Sequence, residues 1–346
     1  MERRTRTGAV LTTAAAALLL SALAGGVVDR GEMLTAPPRA VAAPPSIATE
    51  PPTPGKAAPV PPDEGAWIGA WVRPDLPTPD GRLAAVADFE SQLGRPVDVA
   101  HIFRQWEDPF PRSDDQTLAR SRTVLLSWGG TDTRQIQSGL YDDLIRDRAR
   151  DLKRWGVPLL LEWRWEMDRP NLQGEIWSPE DYVAAWKHIR ALFQQEQVEN
   201  VGWVWCPLAV GFGLGRAQAY YPGDEQVDWL CADVYPGPTA LSFAAAAGPF
   251  LDWARGRPHP VIIGEFGWGV ALREDREQSE LARQEWLTAA GEFVKTQPQI
   301  KGLVYFDSDS SDSPTDPYDT SLRTAPGSMA AFRAVAQQPY FSRPRS

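Results

Sequence analysis

Only two cysteines and three histidines occur in this 346-residue chain. Two cysteines without nearby histidines fall short of zinc-site spacing. His101 reads as a core histidine, His188 lies on an exposed helical pattern and His259 precedes an apolar run, which leaves too few histidines at the ends of the apolar runs for a Ser-His-Asp triad or a histidine zinc centre. No G-x-G-x-x-G follows the first apolar run, so the dinucleotide-binding fold lacks its fingerprint. Basic excess is missing too. The formal net charge is −10 with both signs mixed throughout, which does not suit nucleic acid. These absences lead us to expect no metal, cofactor or nucleic-acid partner. No protein partner is implied either, and a monomer is expected.

What the chain does have is apolar mass and tryptophan. The hydrophobic share is 43%, enough for a sizeable core. Tryptophan occurs 15 times. Many of these rings must be core, but tryptophan is also what flat sugar rings stack on.

The N-terminus has the order of a secretory signal. Arg3, Arg4 and Arg6 precede an apolar run from Gly8 to Leu23, and Ala22-Leu23-Ala24 offers an A-x-A cleavage site. We read residues 1–24 as a signal peptide, with an uncleaved membrane anchor as the alternative. The segment 36–62, "APPRAVAAPPSIATEPPTPGKAAPVPP", is dense in Pro and Ala and cannot build a core. Residues 25–65 are therefore assigned to a disordered spacer, and residues 66–346 to one folded domain. Export makes a Cys206–Cys231 bridge chemically possible. Both residues sit in apolar strand-like runs, and two buried free thiols are the slightly favoured expectation.

Eight short apolar runs then alternate with helical patterns. They span 67–72, 97–103, 123–128, 157–163, 201–206, 227–235, 260–266 and 301–307. "SPEDYVAAWKHIRALFQQEQ" is the clearest helix, with Ser178 at the N-cap, Pro179 at N1 and Asp181 at N3. "DLIRDRARDLKRWGVP" is closed by Gly156. "REQSELARQEWLTAAGEFVKT" is a third. Repeated strand–helix units imply a parallel sheet with helices outside it, and eight of them favour a closed (β/α)8 TIM barrel.

Barrel enzymes place their chemistry at the C-terminal ends of strands. The unexpected residues fall there. Trp71 follows strand 1, Arg104 and Trp106 strand 2, and Trp128 strand 3. Arg164, Trp165, Glu166 and Asp168 follow strand 4. Tyr235 ends strand 6, Glu265 and Trp268 end strand 7, and Asp307 ends strand 8. His101 is read as a satisfied core histidine. The loop "DSDSSDSPTDPYD" (307–319) opens like a calcium loop but lacks its sixth-position Gly and twelfth-position Glu, so a solvated acidic loop is expected.

Glu166 and Glu265 end strands that face one another across an eight-stranded mouth. Glycoside hydrolysis needs such a pair: one carboxyl protonates the leaving oxygen, and the other attacks or activates water. Tryptophan beside Glu166 lowers local polarity and favours the acid form. Tyr235 is placed to donate its hydroxyl to Glu265 and keep it ionised.

"WEMD" (165–168), "ENVGWVWCP", "YYPGDEQVDWLCADVYP", "PVIIGEFGW" and "GLVYFDSD" together resemble glycoside hydrolase family 26, the β-mannanase-type family of clan A. The similarity runs from about Ala66 to Val335. It implies a retaining mechanism with Glu166 as acid/base, Glu265 as nucleophile and Tyr235 as the nucleophile's hydrogen-bond partner. Departures fall beside the acid. Trp165 and Asp168 stand where the family's mannanases usually carry His and Asn, and Glu162 stands where an arginine is common.

The function expected is that of a secreted hydrolase, a glycosidase that degrades β-linked polysaccharide (β-mannan or a related β-glycan). The alternative is a non-catalytic polysaccharide-binding barrel tethered at the cell surface.

Overall fold

The chain divides into residues 1–45 and 46–346, and the computed structural model describes residues 57–237, 239–271, 276–309 and 318–341. The signal-peptide assignment and most of the spacer lie outside the described residues, as does most of the acidic loop. Among the described residues, no helix is long and apolar enough to cross a membrane.

The strands are β1 (Trp67–Val72), β2 (Val99–Arg104), β3 (Thr123–Trp128), β4 (Leu159–Trp163), β5 (Val201–Trp205), β6 (Trp229–Val234) and β7 (Val261–Phe266), then a short β8 (Val270–Ala271), β9 (Ile300–Asp307) and a short β10 (Tyr318–Asp319). The helices between and after them are α1 (Pro79–Leu93), α2 (Ser113–Leu118), α3 (Thr133–Gln137), α4 (Asp142–Trp155), α5 (Gln173–Ile176), α6 (Pro179–Gln195), α7 (Ala209–Gly213), α8 (Phe243–Ala254), α9 (Arg276–Lys295) and α10 (Pro326–Ala336). Strands β1 to β7 and β9 close into one barrel, every neighbouring pair parallel. This is the (β/α)8 fold that the alternation predicts. β8 and β10 form a separate antiparallel ribbon.

Local chemistry sets the helix ends as expected. Ser178 accepts from the Asp181 amide at the start of α6, behind Pro179 at N1. Gly156 closes α4 with φ 67°, a left-handed position that favours glycine.

Strand alternation splits the core in two. Leu159, Leu161 and Trp163 pack outward against the helices, in one cluster with Tyr182, Trp186 and Ile189 of α6. Leu160 belongs to a second cluster with Val99, Leu125, Val204, Cys206, Trp229, Cys231, Ile262 and Val304, which fills the inside of the barrel. The register Trp205↔Leu230 sets Cys206 beside Cys231, both facing inward. Their Cα atoms are 4.3 Å apart and a disulfide joins them. The free thiols favoured from sequence are thus corrected: neighbouring inward positions on adjacent strands bring the sulfurs into bonding range.

Residues 57–65, grouped with the spacer in the sequence reading, lie along the floor of the barrel. The Ala57 amide donates to the Glu199 carbonyl, and Lys301 Nζ to the Asp63 carbonyl. With Trp67, Arg122 and Tyr340 this segment lines a cavity of about 750 Å³. That cavity opens at the strand starts, the end away from the expected chemistry.

Candidate active site

Following the inward phase upward along each strand builds the site. On β4, Leu160 is followed by Glu162. On β6, Trp229 and Cys231 are followed by Asp233 and then Tyr235. On β3 and β2 the same phase places Ser127 and His101 inside. The barrel interior therefore turns from apolar to polar toward its mouth.

Glu265 does not follow simple alternation. Ile262 faces in, so an unbroken strand would turn Glu265 outward. The ladder shifts register here: Ala232 pairs with Ile263, but Asp233 pairs with Glu265. One residue, Gly264, is skipped. That irregularity resets the phase and turns Glu265 into the mouth. Gly264 faces the disulfide, and a Cβ on it would lie 2.6 Å from Cys231 Sγ and 3.1 Å from Asp233 Oδ1. Only glycine fits there.

β4 reaches the mouth differently. Arg164 and Glu166 both have φ 51°, the left-handed region that costs a non-glycine residue about 1 kcal/mol or more. The distortion is held by ladder bonds that continue past the strand. The Arg164 amide donates to the Trp128 carbonyl, and the Glu166 amide to that of Cys206. The result aims Trp165 and Glu166 inward.

Carboxylate oxygens of Glu166, Asp233 and Glu265 come within 4.8 Å of one another. All three residues are buried, as is Glu162 below them. Tyr235 donates to Glu265 Oε2 at 2.6 Å. The Arg169 guanidinium pairs with Glu166 Oε2 while remaining half exposed itself. Three carboxylates this close can also suit a hard cation. Two of them, however, already have Tyr235 and Arg169 as partners.

The electrostatics follow from burial and like charge. Desolvation, then the charge of Glu265, pushes the Glu166 carboxyl up to about 8, with Arg169 opposing. Desolvation also raises Glu265, to about 7, and the Tyr235 hydrogen bond opposes it. Asp233 is pushed well above the usual carboxylate range by burial and by Glu265, Glu166 and Glu162. Its Oδ2 and the Oε1 of Glu162 have no hydrogen-bond partner among the described residues. Ionising such oxygens is costly, which favours the protonated form of both side chains. Burial raises the Tyr235 hydroxyl well above its ordinary value, which keeps it a donor.

Beneath the acid runs a buried chain. His101 Nε2 lies 2.6 Å from Ser127 Oγ, and Ser127 Oγ donates to Glu162 Oε2. His101 is buried as expected, but only its Nε2 is hydrogen-bonded and its Nδ1 has no partner among the described residues; burial lowers its pKa to about 3.

β1, β2, β9 and the end of β4 add a cluster of aromatic rings. Trp71 stacks on Phe306 at 4.4 Å, and Phe103 sets its edge against Trp71 at 5.7 Å and against Trp165 at 4.8 Å. All four rings are half-buried and can meet a sugar face. Trp71 and Trp165 were expected in the mouth. Phe103 and Phe306 were missed, although the inward phase of Val99 and Val304 would have found them. The same phase carried past Leu160 and Cys231 points to Glu162 and Asp233.

Other expected mouth residues lie elsewhere. Arg104 faces outward and is buried between Asp114 and Asp115 of α2. Trp106 and Trp128 stack on one another at 4.4 Å within the outer core, and Trp128 Nε1 donates to the Trp106 carbonyl. Asp168 Oδ1 accepts from the Leu208 amide, tying the end of β4 to the segment after β5. Asp307 is fully buried and accepts from the Leu322 amide and from Arg323 Nε. These five are corrected to scaffold roles. Position at a strand end does not fix which side of the wall a residue faces. Arg164 sits on the rim, its Nη2 donating to Glu175 Oε2 at 2.8 Å. Trp268 is half-buried, 6.0 Å from Trp286 of α9.

The sequence profile of glycosyl hydrolase family 26 matches residues 102–250. Endoglucanase H of Acetivibrio thermocellus is 25% identical over 295 residues, covering 78% of this chain and 30% of that protein. A β-1,3-xylanase of a Vibrio species is 24% identical over 203 residues, covering 51% of this chain and 41% of that protein. The chain thus spans less than half the length of either relative. Among solved structures, a family 26 β-mannanase of Bacteroides ovatus superposes with a TM-score of 0.58 at 14% identity, covering 81% of this chain and 90% of that one. A family 26 protein of a Muricauda species gives 0.59 at 14% identity, covering 81% and 87%. The family resemblance holds in sequence profile and in fold.

Proposed function

We propose, on the premise that this chain is a member of glycoside hydrolase family 26, that it is a retaining hydrolase of β-linked polysaccharide. The observation that carries this reading is the approach of the Glu166 and Glu265 carboxylates to within 4.8 Å. A retaining pair stands about 5–5.5 Å apart, whereas an inverting pair needs about 6.5–9.5 Å to admit water. The hydrogen bond from Tyr235 to Glu265 adds to it.

In the first step Glu265 attacks the anomeric carbon and the glycosidic C–O bond breaks. Glu166 gives its proton to the departing oxygen. The products are a glycosyl ester on Glu265 and a free sugar alcohol. In the second step Glu166, now a carboxylate, takes a proton from water. The water oxygen displaces Glu265 at the same carbon, and two inversions give net retention. Tyr235 favours the ionised nucleophile, and burial of Glu166 beside the Glu265 charge favours the protonated acid.

The relatives' names span glucan, xylan and mannan, so the substrate class is proposed as a β-glycan. Departures at Trp165, Asp168 and Glu162 set this chain's acid segment apart from the usual mannanase run. Export is proposed as well. The N-terminal signal order supports it, and so does a disulfide in the barrel wall, since disulfides persist in oxidising compartments.

Reducing-sugar release from mannan, β-1,3-xylan, mixed-linkage glucan and cellulose identifies the substrate. NMR of the first-formed anomer should then show retention. Glu265→Ala should lose turnover, and azide should restore Glu166→Ala on an activated aryl glycoside as a β-glycosyl azide. An inverted anomer, or a Glu265→Ala enzyme with unchanged rate, overturns the assignment.

A further inference from the structure

The active site stands over a gap in the barrel wall. β5 and β6 pair at Val204↔Trp229 and Trp205↔Leu230, and the ladder then stops. It resumes toward the mouth as a single bridge, Leu208↔Asp233, where the Asp233 amide donates to the Pro207 carbonyl at 3.1 Å. Between these points lie Cys206 and Pro207 on one side and Cys231 and Ala232 on the other. Pro207 has no amide proton to give, so the backbone cannot complete the seam there. The Cys206–Cys231 disulfide spans it.

The seam divides the two glutamates. Glu166 hangs from the β5 side, its amide donating to the Cys206 carbonyl at 2.7 Å. Glu265 belongs to the β6 side. β6 leads into Tyr235, which donates to the Glu265 carboxylate, and its ladder with β7 contains the skip that turns Glu265 inward. The short way round the wall from acid to nucleophile therefore crosses the disulfide. The sulfurs also touch the groups around the pair. Both cysteines are fully buried. Cys206 Sγ lies 3.3 Å from Asp233 Oδ1, and a Glu162 carboxylate oxygen lies within 4.8 Å of both sulfurs. A disulfide sulfur has no proton to donate, so the sulfurs act here by packing. Gly264 closes the other flank, where a Cβ would meet Cys231 Sγ at 2.6 Å and Cys206 Sγ at 3.1 Å.

Double displacement tolerates little change in the separation of its two carboxyls, and a displacement approaching 1 Å costs about 100-fold in rate. We propose that Cys206 and Cys231 are positioning residues of the reaction: their disulfide fixes the Glu166 half of the site against the Glu265 half. Buried beneath Asp233, the sulfurs do not meet substrate. The bond acts through the Cys206 carbonyl on Glu166 and through Gly264 on Glu265. This inference rests on the reading of the protein as a retaining glycosidase.

The test compares wild type, the double variant Cys206→Ala/Cys231→Ala, the triple variant that adds Gly264→Ala, and Ile189→Ala. Ile189 is fully buried in the outer core, and its truncation costs stability comparable to the loss of a disulfide. On the polysaccharide hydrolysed fastest, the double variant should lower kcat about 10- to 100-fold with KM within about twofold. Ile189→Ala should keep the wild-type kcat. Removing both sulfurs empties the space that excludes a Cβ from Gly264, so the triple variant should recover most of the lost kcat. Wild type unfolded without reductant should show no free thiol. Two free thiols overturn the proposal, as does a double variant with kcat within about threefold of wild type. An equal loss in Ile189→Ala, or a triple variant no faster than the double, overturns it too. If the double variant does not fold, the triple decides, and a triple that fails to fold or to turn over counts against the proposal. Should wild type hydrolyse no glycan, the reading of function fails and the disulfide is judged from crystal structures. The Glu166–Glu265 separation should then widen by about 1 Å in the double variant, and an unchanged separation overturns the positioning role.

Discussion

Among the described residues one cation, Arg169, pairs with Glu166, and it opposes the upward shift that burial and Glu265 impose on the acid. Arg169 lies three residues on and pairs with Glu166 Oε2. It also opposes the upward shift of Glu265. An arginine stays charged at every working pH, so its removal acts in one direction. Arg169→Met should raise both carboxyls further above the ordinary range. The kcat/KM profile of wild type should be bell-shaped, with limbs set by an ionised Glu265 and a protonated Glu166. In Arg169→Met both limbs should move to higher pH, by about one unit for the loss of one close opposite charge. A pH–rate series on an aryl glycoside measures this. Limbs that stay in place, or move down, would show that Arg169 does not act on the pair.

Among the elements, β7 carries the largest consequence from the smallest feature. Skipping Gly264 in the ladder turns Glu265 inward. The disulfide between β5 and β6 packs against the same glycine. Gly264 has no positive φ, so alanine is tolerated by the backbone and excluded only by space. Gly264→Ala should therefore cost about 1–3 kcal/mol by overpacking. It should also shift the nucleophile, and a displacement approaching 1 Å lowers kcat about 100-fold. Thermal melting and kcat report the two effects separately. A variant with near-normal kcat would mean that the skip survives without glycine.

For the molecule as a whole, the active site weakens the fold as pH rises. Glu162, Glu166, Asp233 and Glu265 all have folded-state pKa values raised by burial. A raised value means the folded state binds protons more tightly than the unfolded chain. The associated stability is present below the unfolded values, 4.5 for the glutamates and 3.8 for Asp233, and is lost as pH climbs through the folded ones. For Glu162 that window runs from 4.5 to about 8. Glu162→Gln keeps the shape and cannot ionise. Relative to wild type it should gain stability across that window, on the order of a few kcal/mol. Urea unfolding at pH 5 and pH 8 gives the difference. An equal gap between the two proteins at both pH values would mean that Glu162 does not titrate within the window.

Much of this was legible in the sequence. Apolar runs of strand length, helical runs between them, Ser178 and Gly156 at helix ends, a glutamate just past the fourth strand and one near the end of the seventh are local features. Local propensity and periodicity fix them before any tertiary contact forms. What the sequence could not decide was facing. Arg104, Trp128 and Asp307 end strands just as Glu265 does, yet they point outward, because facing depends on the phase of each strand against its neighbours. The skip at Gly264 reverses that phase for Glu265, and it exists only in the pairing of β7 with its neighbours β6 and β9. The disulfide likewise depends on the register of β5 against β6. The chain alone determined which elements form and in what order. Closure of the barrel decided which side chains meet inside it, because register is set between strands that are distant in sequence.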